Sequence, residues 1–179
     1  STGKDVAIKE FREEYLEDED TMSLLRREVS SLVKLHNEYL VCFIGFNNDP
    51  GEPLWVVSEM VKNGELFNAI RRKKLTPFQK TKIAFEIAEG MEYLHSKRVI
   101  HRDLKTGNIL LDGDTPKITD FGYARTDLSL IMTNKVGTIN YMAPEVIEGS
   151  NYDFKADVFS YGLMLWELYS GTFPFSWVS

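Results

Sequence analysis

His101-Arg102-Asp103-Leu104-Lys105-Thr106-Gly107-Asn108 is a polar stretch held between two patterned segments, and Asp120-Phe121-Gly122 follows it. Upstream, Thr76-Pro77 opens a long helix, with Pro77 at the first helical position, where no N–H is needed. Ile83, Ile87, Met91 and Leu94 form the buried stripe of that helix. Downstream, Ile109-Leu110-Leu111 and Lys117-Ile118-Thr119 flank the turn-rich Asp112-Gly113-Asp114, which predicts a hairpin. Asp103 therefore lies in a loop between a helix and a strand, where a carboxylate can accept or orient a hydroxyl proton. Lys105, two residues on, is placed to neutralise a transferring phosphoryl group. Taken alone, the loop reads better as a solvated polar connection.

Two further pairs extend the pattern. Val6-Ala7-Ile8-Lys9 reads as a strand, in which Ala7 and Lys9 point to one side. Thr21 caps a helix running to about Leu35, with Met22, Leu25, Val29 and Leu32 on one face. Glu28 lies on that face, and an inward carboxylate needs a partner. Lys9 is the candidate, and the pair would hold the lysine against phosphate oxygens; two surface charges at the stripe's edge explain the same residues. Asn108 and Asp120 lie at equal distances from a hairpin centre near Asp114, so antiparallel pairing brings their side chains together. An amide oxygen and a carboxylate are hard ligands that suit Mg2+ bound jointly with phosphates. Polar residues at strand ends are the plainer account. Tyr39 to Phe46 and Leu54 to Ser58 read as strands, and Gly64 to Lys74 as a short helix. Phe121 to Asn140 reads as a long loop, and Lys155 to Ser170 as a helix apolar nearly all round, buried in a core.

Taken in order, V-A-I-K at 6–9, H-R-D-L-K-x-x-N at 101–108, D-F-G at 120–122 and A-P-E at 143–145 change this balance. The chain resembles the catalytic domain of eukaryotic protein kinases along essentially its whole length. The resemblance implies an α+β, bilobal fold. A small lobe and hinge would occupy residues 1–61, with an antiparallel sheet and a C-helix, and a mostly helical large lobe residues 62–179. It implies ATP and Mg2+ as cofactors and a protein substrate. Lys9 would contact the α and β phosphates and pair with Glu28. Asp103 resembles the catalytic base, Asn108 and Asp120 the Mg2+ ligands, and Lys105 the lysine that steadies the γ-phosphate. Thr138 looks like the threonine that supports Asp103 and Lys105.

By the same resemblance, Ser58 occupies the gatekeeper position, and adenine would bond to backbone groups of Glu59 and Val61. Ala7 and Leu110 would sandwich the ring, and Glu65 is a candidate for the ribose hydroxyls. Leu32, Phe43, His101 and Phe121 match the apolar column that couples the lobes, with Asp157 as its anchor. His36 and His95 show no partner in the sequence. Arg102 implies control by an activation-loop phosphate, on Thr133 first, then Thr126 or Ser129. Lys105 with Gly137-Thr138 looks like a serine/threonine kinase, whereas Asp157 to Gly162 and Leu165 to Leu168 resemble tyrosine kinases. That mixture is similar to the tyrosine-kinase-like group, which implies Ser/Thr transfer with dual specificity left open.

Bulk properties narrow the rest. The 179 residues carry a formal net charge of −6, which argues against a nucleic-acid partner. Cys42 is the single cysteine, so no internal disulfide forms, and a reducing, cytoplasmic setting is expected. No apolar run is long enough to span a bilayer. No G-x-x-x-x-G-K-[ST] is present, which excludes a P-loop. No glycine-rich loop precedes Val6, and the sequence stops soon after the apolar helix, so a fragment of a longer protein is expected, with an apolar helix face left open. The alternative to an active kinase is a pseudokinase that binds nucleotide or partners without transfer.

Overall fold

Val, Ile, Phe and Trp dominate three short runs that pair into one antiparallel sheet in this computed structural model: β1 (Val6–Glu10), β2 (Phe43–Phe46) and β3 (Trp55–Glu59). The structure describes residues 3, 5–10, 29–30, 33–47, 49, 55–120, 139–149 and 153–177. The sheet order is β1-β3-β2, so β3 is central and Val56 is buried. The register sets Ala7 opposite Ser58 and Lys9 opposite Val56. Residues 29 and 30 are helical, and Val33 N–H donates to Val29 O at 3.1 Å, as expected near the end of the helix read from Thr21. Residues 21–28, including the Thr21 cap, lie outside the described residues.

The strand expected over Tyr39 to Phe46 is shorter than its apolar run. Residues 39–41 turn instead to the large lobe, where Val41 N–H donates to Ile118 O and Ile118 N–H to Tyr39 O. Leu40 and Val41 are buried there, and Leu40 forms an isolated parallel bridge with Ile118, so their apolar character reports pairing across an interlobe seam and not within the small-lobe sheet.

Helix α1 (Leu66–Arg71) is also shorter than Gly64 to Lys74. Lys73 takes a left-handed φ of 52°, with Lys73 N–H on Ile70 O and Lys74 N–H on Ala69 O, which closes the helix without a glycine. Helix α2 (Pro77–Ser96) starts where Pro77 predicts, and a capping box fixes that start: Thr76 accepts from Gln79 N–H and the Gln79 side chain accepts from Thr76 N–H. The expected stripe of Ile83, Ile87, Met91 and Leu94 is buried. Gly90 lets α2 pass the seam, because a Cβ there would lie 2.8 Å from Ile118 Cδ1 and 3.1 Å from Tyr39 Cβ.

The hairpin forms from β4 (Ile109–Asp112) and β5 (Thr115–Ile118), with Ile109 opposite Ile118. Its centre therefore falls between Gly113 and Asp114, and Asn108 faces Thr119, whose N–H donates to Asn108 O at 2.9 Å. Asp120 lies one residue beyond the position opposite Asn108, which corrects the equal spacing read from the sequence. After a short helical turn at Ile139–Tyr141 and helix α3 (Pro144–Ile147), helix α4 (Lys155–Ser170) crosses the large lobe. Ala156, Asp157, Ser160, Met164, Glu167 and Leu168 are its buried residues, three or four apart along one face. Val158, Phe159 and Trp166, read as core, are 60, 38 and 38% exposed. All-round apolarity hides which face packs. Trp166 packs its ring against Trp177, with centroids 5.1 Å apart.

Candidate active site

The loop between α2 and β4 is held from beneath by α4. Asp157 is buried; its Oδ2 accepts the His101 N–H at 2.8 Å and its Oδ1 the Arg102 N–H at 2.9 Å. These bonds fix a backbone that is itself strained, since Arg102 has φ 67° without being a glycine. His101 is buried, and its Nε2 meets Thr119 O at 3.0 Å, in keeping with the structural role the resemblance implies. His95, read as having no partner, is in fact bonded through Nε2 to Asp157 Oδ2 at 2.8 Å and packs against Phe154. Its position beside Leu94 at the end of a buried stripe was the available signal.

Above this floor the polar side chains converge. Asp103 Oδ2 accepts from Lys105 Nζ at 2.7 Å and from Asn108 Nδ2 at 2.9 Å, and Asn108 Nδ2 also reaches Asp103 O at 2.7 Å. Asp103 Oδ1 is shielded from solvent and has no hydrogen-bond partner among the described residues. The carboxylate is thus clamped by one oxygen, while the other is unpaired among the described residues and out of contact with solvent. The short turn Thr106–Asn108 sets this spacing, because Asn108 N–H closes onto Lys105 O. With its amide nitrogen committed to Asp103, Asn108 is left with its amide oxygen as acceptor.

Lys9 joins the site from the small lobe. Its Nζ lies 2.9 Å from Asp120 Oδ1, bridging β1 to a residue two beyond the end of β5. The expected Lys9–Glu28 pair falls outside the described residues, as do Leu32, Phe121, Thr126, Ser129, Thr133 and Thr138. The nucleotide-facing candidates surround the crossing between the lobes. Ala7 and Leu110 are both half-buried, and Leu110 bridges to Glu65 at the start of α1. Ser58 and Glu59 end the central strand, with Val61 two residues on. Glu59 is tied at both backbone and side chain: its N–H donates to Cys42 O, and its Oε1 accepts from Cys42 N–H at 3.0 Å and from Lys117 Nζ at 2.9 Å. Its side chain therefore ties the end of β3 to the residue before β2 and to β5.

Three residues escaped the sequence reading. Glu167 is fully buried in α4, where its Oε2 accepts the Thr106 hydroxyl at 2.6 Å and the Tyr141 hydroxyl. A carboxylate in the apolar run Leu165-Trp166-Glu167-Leu168 was the signal, since such a group requires donors. Burial and the adjacent Glu167 carboxylate push the Tyr141 phenol well above its ordinary 10.0.

Asp103 with Lys105 and Asn108, and Lys9 with Asp120, are thus gathered on a bilobal α+β fold. The model of the protein kinase domain matches residues 1–178, and the chain belongs to that family. It is 40% identical over 98% of its length to serine/threonine-protein kinase STY46 of Arabidopsis thaliana, and spans 31% of that protein. It is 39% identical over 98% of its length to STY17 of the same plant, of which it spans 31%. It is 40% identical over 97% of its length to serine/threonine-protein kinase TNNI3K of Mus musculus, of which it spans 22%. The chain thus covers under a third of each of these curated relatives.

Proposed function

We propose that the protein containing this domain transfers the γ-phosphoryl group of ATP to serine and threonine hydroxyls of protein substrates. The observation that carries the reading is the Asp103 carboxylate, clamped through Oδ2 by Lys105 and Asn108 with Oδ1 unpaired among the described residues. The names of the relatives support Ser/Thr specificity, as does Lys105 in the loop. Asp103 orients the substrate hydroxyl and takes its proton as the oxygen attacks phosphorus. Lys105 offsets the negative charge on the moving phosphoryl group. Lys9 holds phosphate oxygens and, through Asp120, keeps the two lobes in register. The Asn108 amide oxygen and the Asp120 carboxylate are the donors that would hold Mg2+, and their hard-oxygen chemistry fits that ion. When bound, the ion neutralises phosphate charge. Ala7, Ser58, Glu59, Val61, Glu65 and Leu110 form the proposed nucleotide surface. Thr138 supports Asp103 and Lys105, and Glu28 pairs with Lys9. Phosphorylation of Thr133, Thr126 or Ser129, by an upstream kinase or in trans, is the proposed control.

Among the described residues no helix is long and apolar enough to cross a membrane. A cytoplasmic setting belongs to the proposal and is supported by the lone Cys42.

The test is phosphoamino-acid analysis of the full-length protein incubated with Mg-ATP, beside an Asp103→Asn control. Phosphoserine or phosphothreonine that disappears in the control is expected. Phosphotyrosine alone would sink the Ser/Thr reading, and nucleotide binding without any transfer would establish a pseudokinase.

A further inference from the structure

Glu167 places a carboxylate at zero exposure in α4, with two neutral hydroxyls as its hydrogen-bond donors. Arg71 Nη2, at 3.8 Å from Oε1, is too distant for a hydrogen bond, and Oε1 itself has none among the described residues. An apolar side chain would fill this position at lower cost. What the carboxylate gains is connection. Thr106 lies in the turn between Lys105 and Asn108, the two residues that clamp Asp103. Tyr141 lies just before Ala143-Pro144-Glu145, and its own carbonyl is held by Ser160 Oγ at 2.7 Å. One carboxylate oxygen thus fixes both the catalytic turn and the segment entering α3.

We propose that Thr106 and Glu167 are positioning residues: Glu167, by accepting from Thr106 and Tyr141 together, makes the placement of Lys105 and Asn108 around Asp103 depend on the seat of the segment before α3. This inference rests on the kinase reading. No group here touches a reacting atom, and the effect passes entirely through the turn Thr106–Asn108. Loss of the Thr106 hydroxyl leaves the fold's apolar contacts intact but frees the turn to shift relative to Asp103. Glutamine at 167 still offers an amide oxygen to both hydroxyls, so it should preserve the alignment where alanine does not.

The measurements compare Thr106→Val, Tyr141→Phe, their double variant, Glu167→Gln and Glu167→Ala in the full-length protein. Thr106→Val should lower kcat about tenfold, the effect of losing roughly one charge-assisted hydrogen bond, with KM for ATP nearly unchanged. The double variant should lose less than the product of the single losses, because both hydroxyls act through one acceptor and lie 3.5 Å from each other. Glu167→Gln should retain most of the activity lost in Glu167→Ala. A Thr106→Val protein with full kcat, or strictly multiplicative losses, overturns the proposal. Absence of transfer in the wild-type protein refutes the kinase reading instead, and amide exchange then decides this one. Thr106→Val should speed exchange at both Asn108, bonded to Lys105 O, and Met142, bonded to Ile139 O. Unchanged exchange at Met142 overturns the coupling.

Discussion

The Asp157 carboxylate accepts the backbone N–H of Arg102 at 2.9 Å, and so a helix buried in the large lobe sets the conformation of the loop that carries Asp103. Because Arg102 is held at φ 67°, the bond supports a backbone shape that the chain would otherwise leave. Asp157→Ala removes the acceptor for two backbone N–H groups and the partner of His95 together. A loss of about 3–5 kcal/mol in unfolding free energy is expected, as for a broken buried charged network. Urea denaturation of the full-length protein measures it, and a loss below about 1 kcal/mol would show that the loop holds itself.

Lys9→Met should separate activity from stability. The Lys9–Asp120 pair is partly exposed, at 47% and 35% for the two side chains, so solvent screening keeps its contribution to folding within about 1 kcal/mol. Its role toward phosphate has no substitute from a thioether. Transfer should fall by at least about 100-fold, the scale of losing one charge-stabilising group, while the melting temperature moves by a few degrees at most. Equal loss of folding and activity would assign Lys9 to the scaffold.

The fold was legible wherever local chemistry and packing agree. Pro77 after Thr76 marks the start of α2, and the four stripe residues mark its buried face, because helix period and core contact select the same positions. The strand over Tyr39 to Phe46 was overextended because Leu40 and Val41 are apolar for the interlobe seam, which a periodicity argument cannot separate from strand burial. In the site, Asp103, Lys105 and Asn108 are close in sequence but alone read as a solvated loop, and the order of the motifs along the chain singled them out. His95, Thr106, Tyr141 and Glu167 were not legible, since their partners lie far away in the chain and each resembles an ordinary helix or loop residue. Asp157 came only through the family resemblance.

Gly90→Ala tests the seam directly. The added Cβ would sit 2.8 Å from Ile118 Cδ1 and 3.1 Å from Tyr39 Cβ. Ile118 is itself fully buried in β5, with little room to retreat. Alanine's better helix propensity contributes about 1 kcal/mol in favour, against an overpacking cost of about 1–3 kcal/mol. A net loss of about 1 kcal/mol is expected by chemical denaturation. Stabilisation would mean that Tyr39 and Ile118 relax freely and that the seam is loosely packed.

The Tyr141 phenol ties stability to alkaline pH. Burial and then the Glu167 carboxylate raise its folded-state value above the ordinary 10.0, so the neutral form is the one the fold prefers. An unfolded chain therefore releases this proton at lower pH than the folded one. The stabilisation is fully present below pH 10 and is lost progressively as pH rises from 10 toward the raised folded value, by at most about 1.4 kcal/mol per pH unit for one proton. Tyr141→Phe removes this titration. At neutral pH the variant should be less stable by about 1.5–3 kcal/mol, because Glu167 loses a donor. Above pH 10 its unfolding free energy should fall less steeply than that of the wild type, so the two curves converge. Denaturation series at matched ionic strength from pH 8 upward give both slopes, and parallel curves would place the Tyr141 hydroxyl in contact with water.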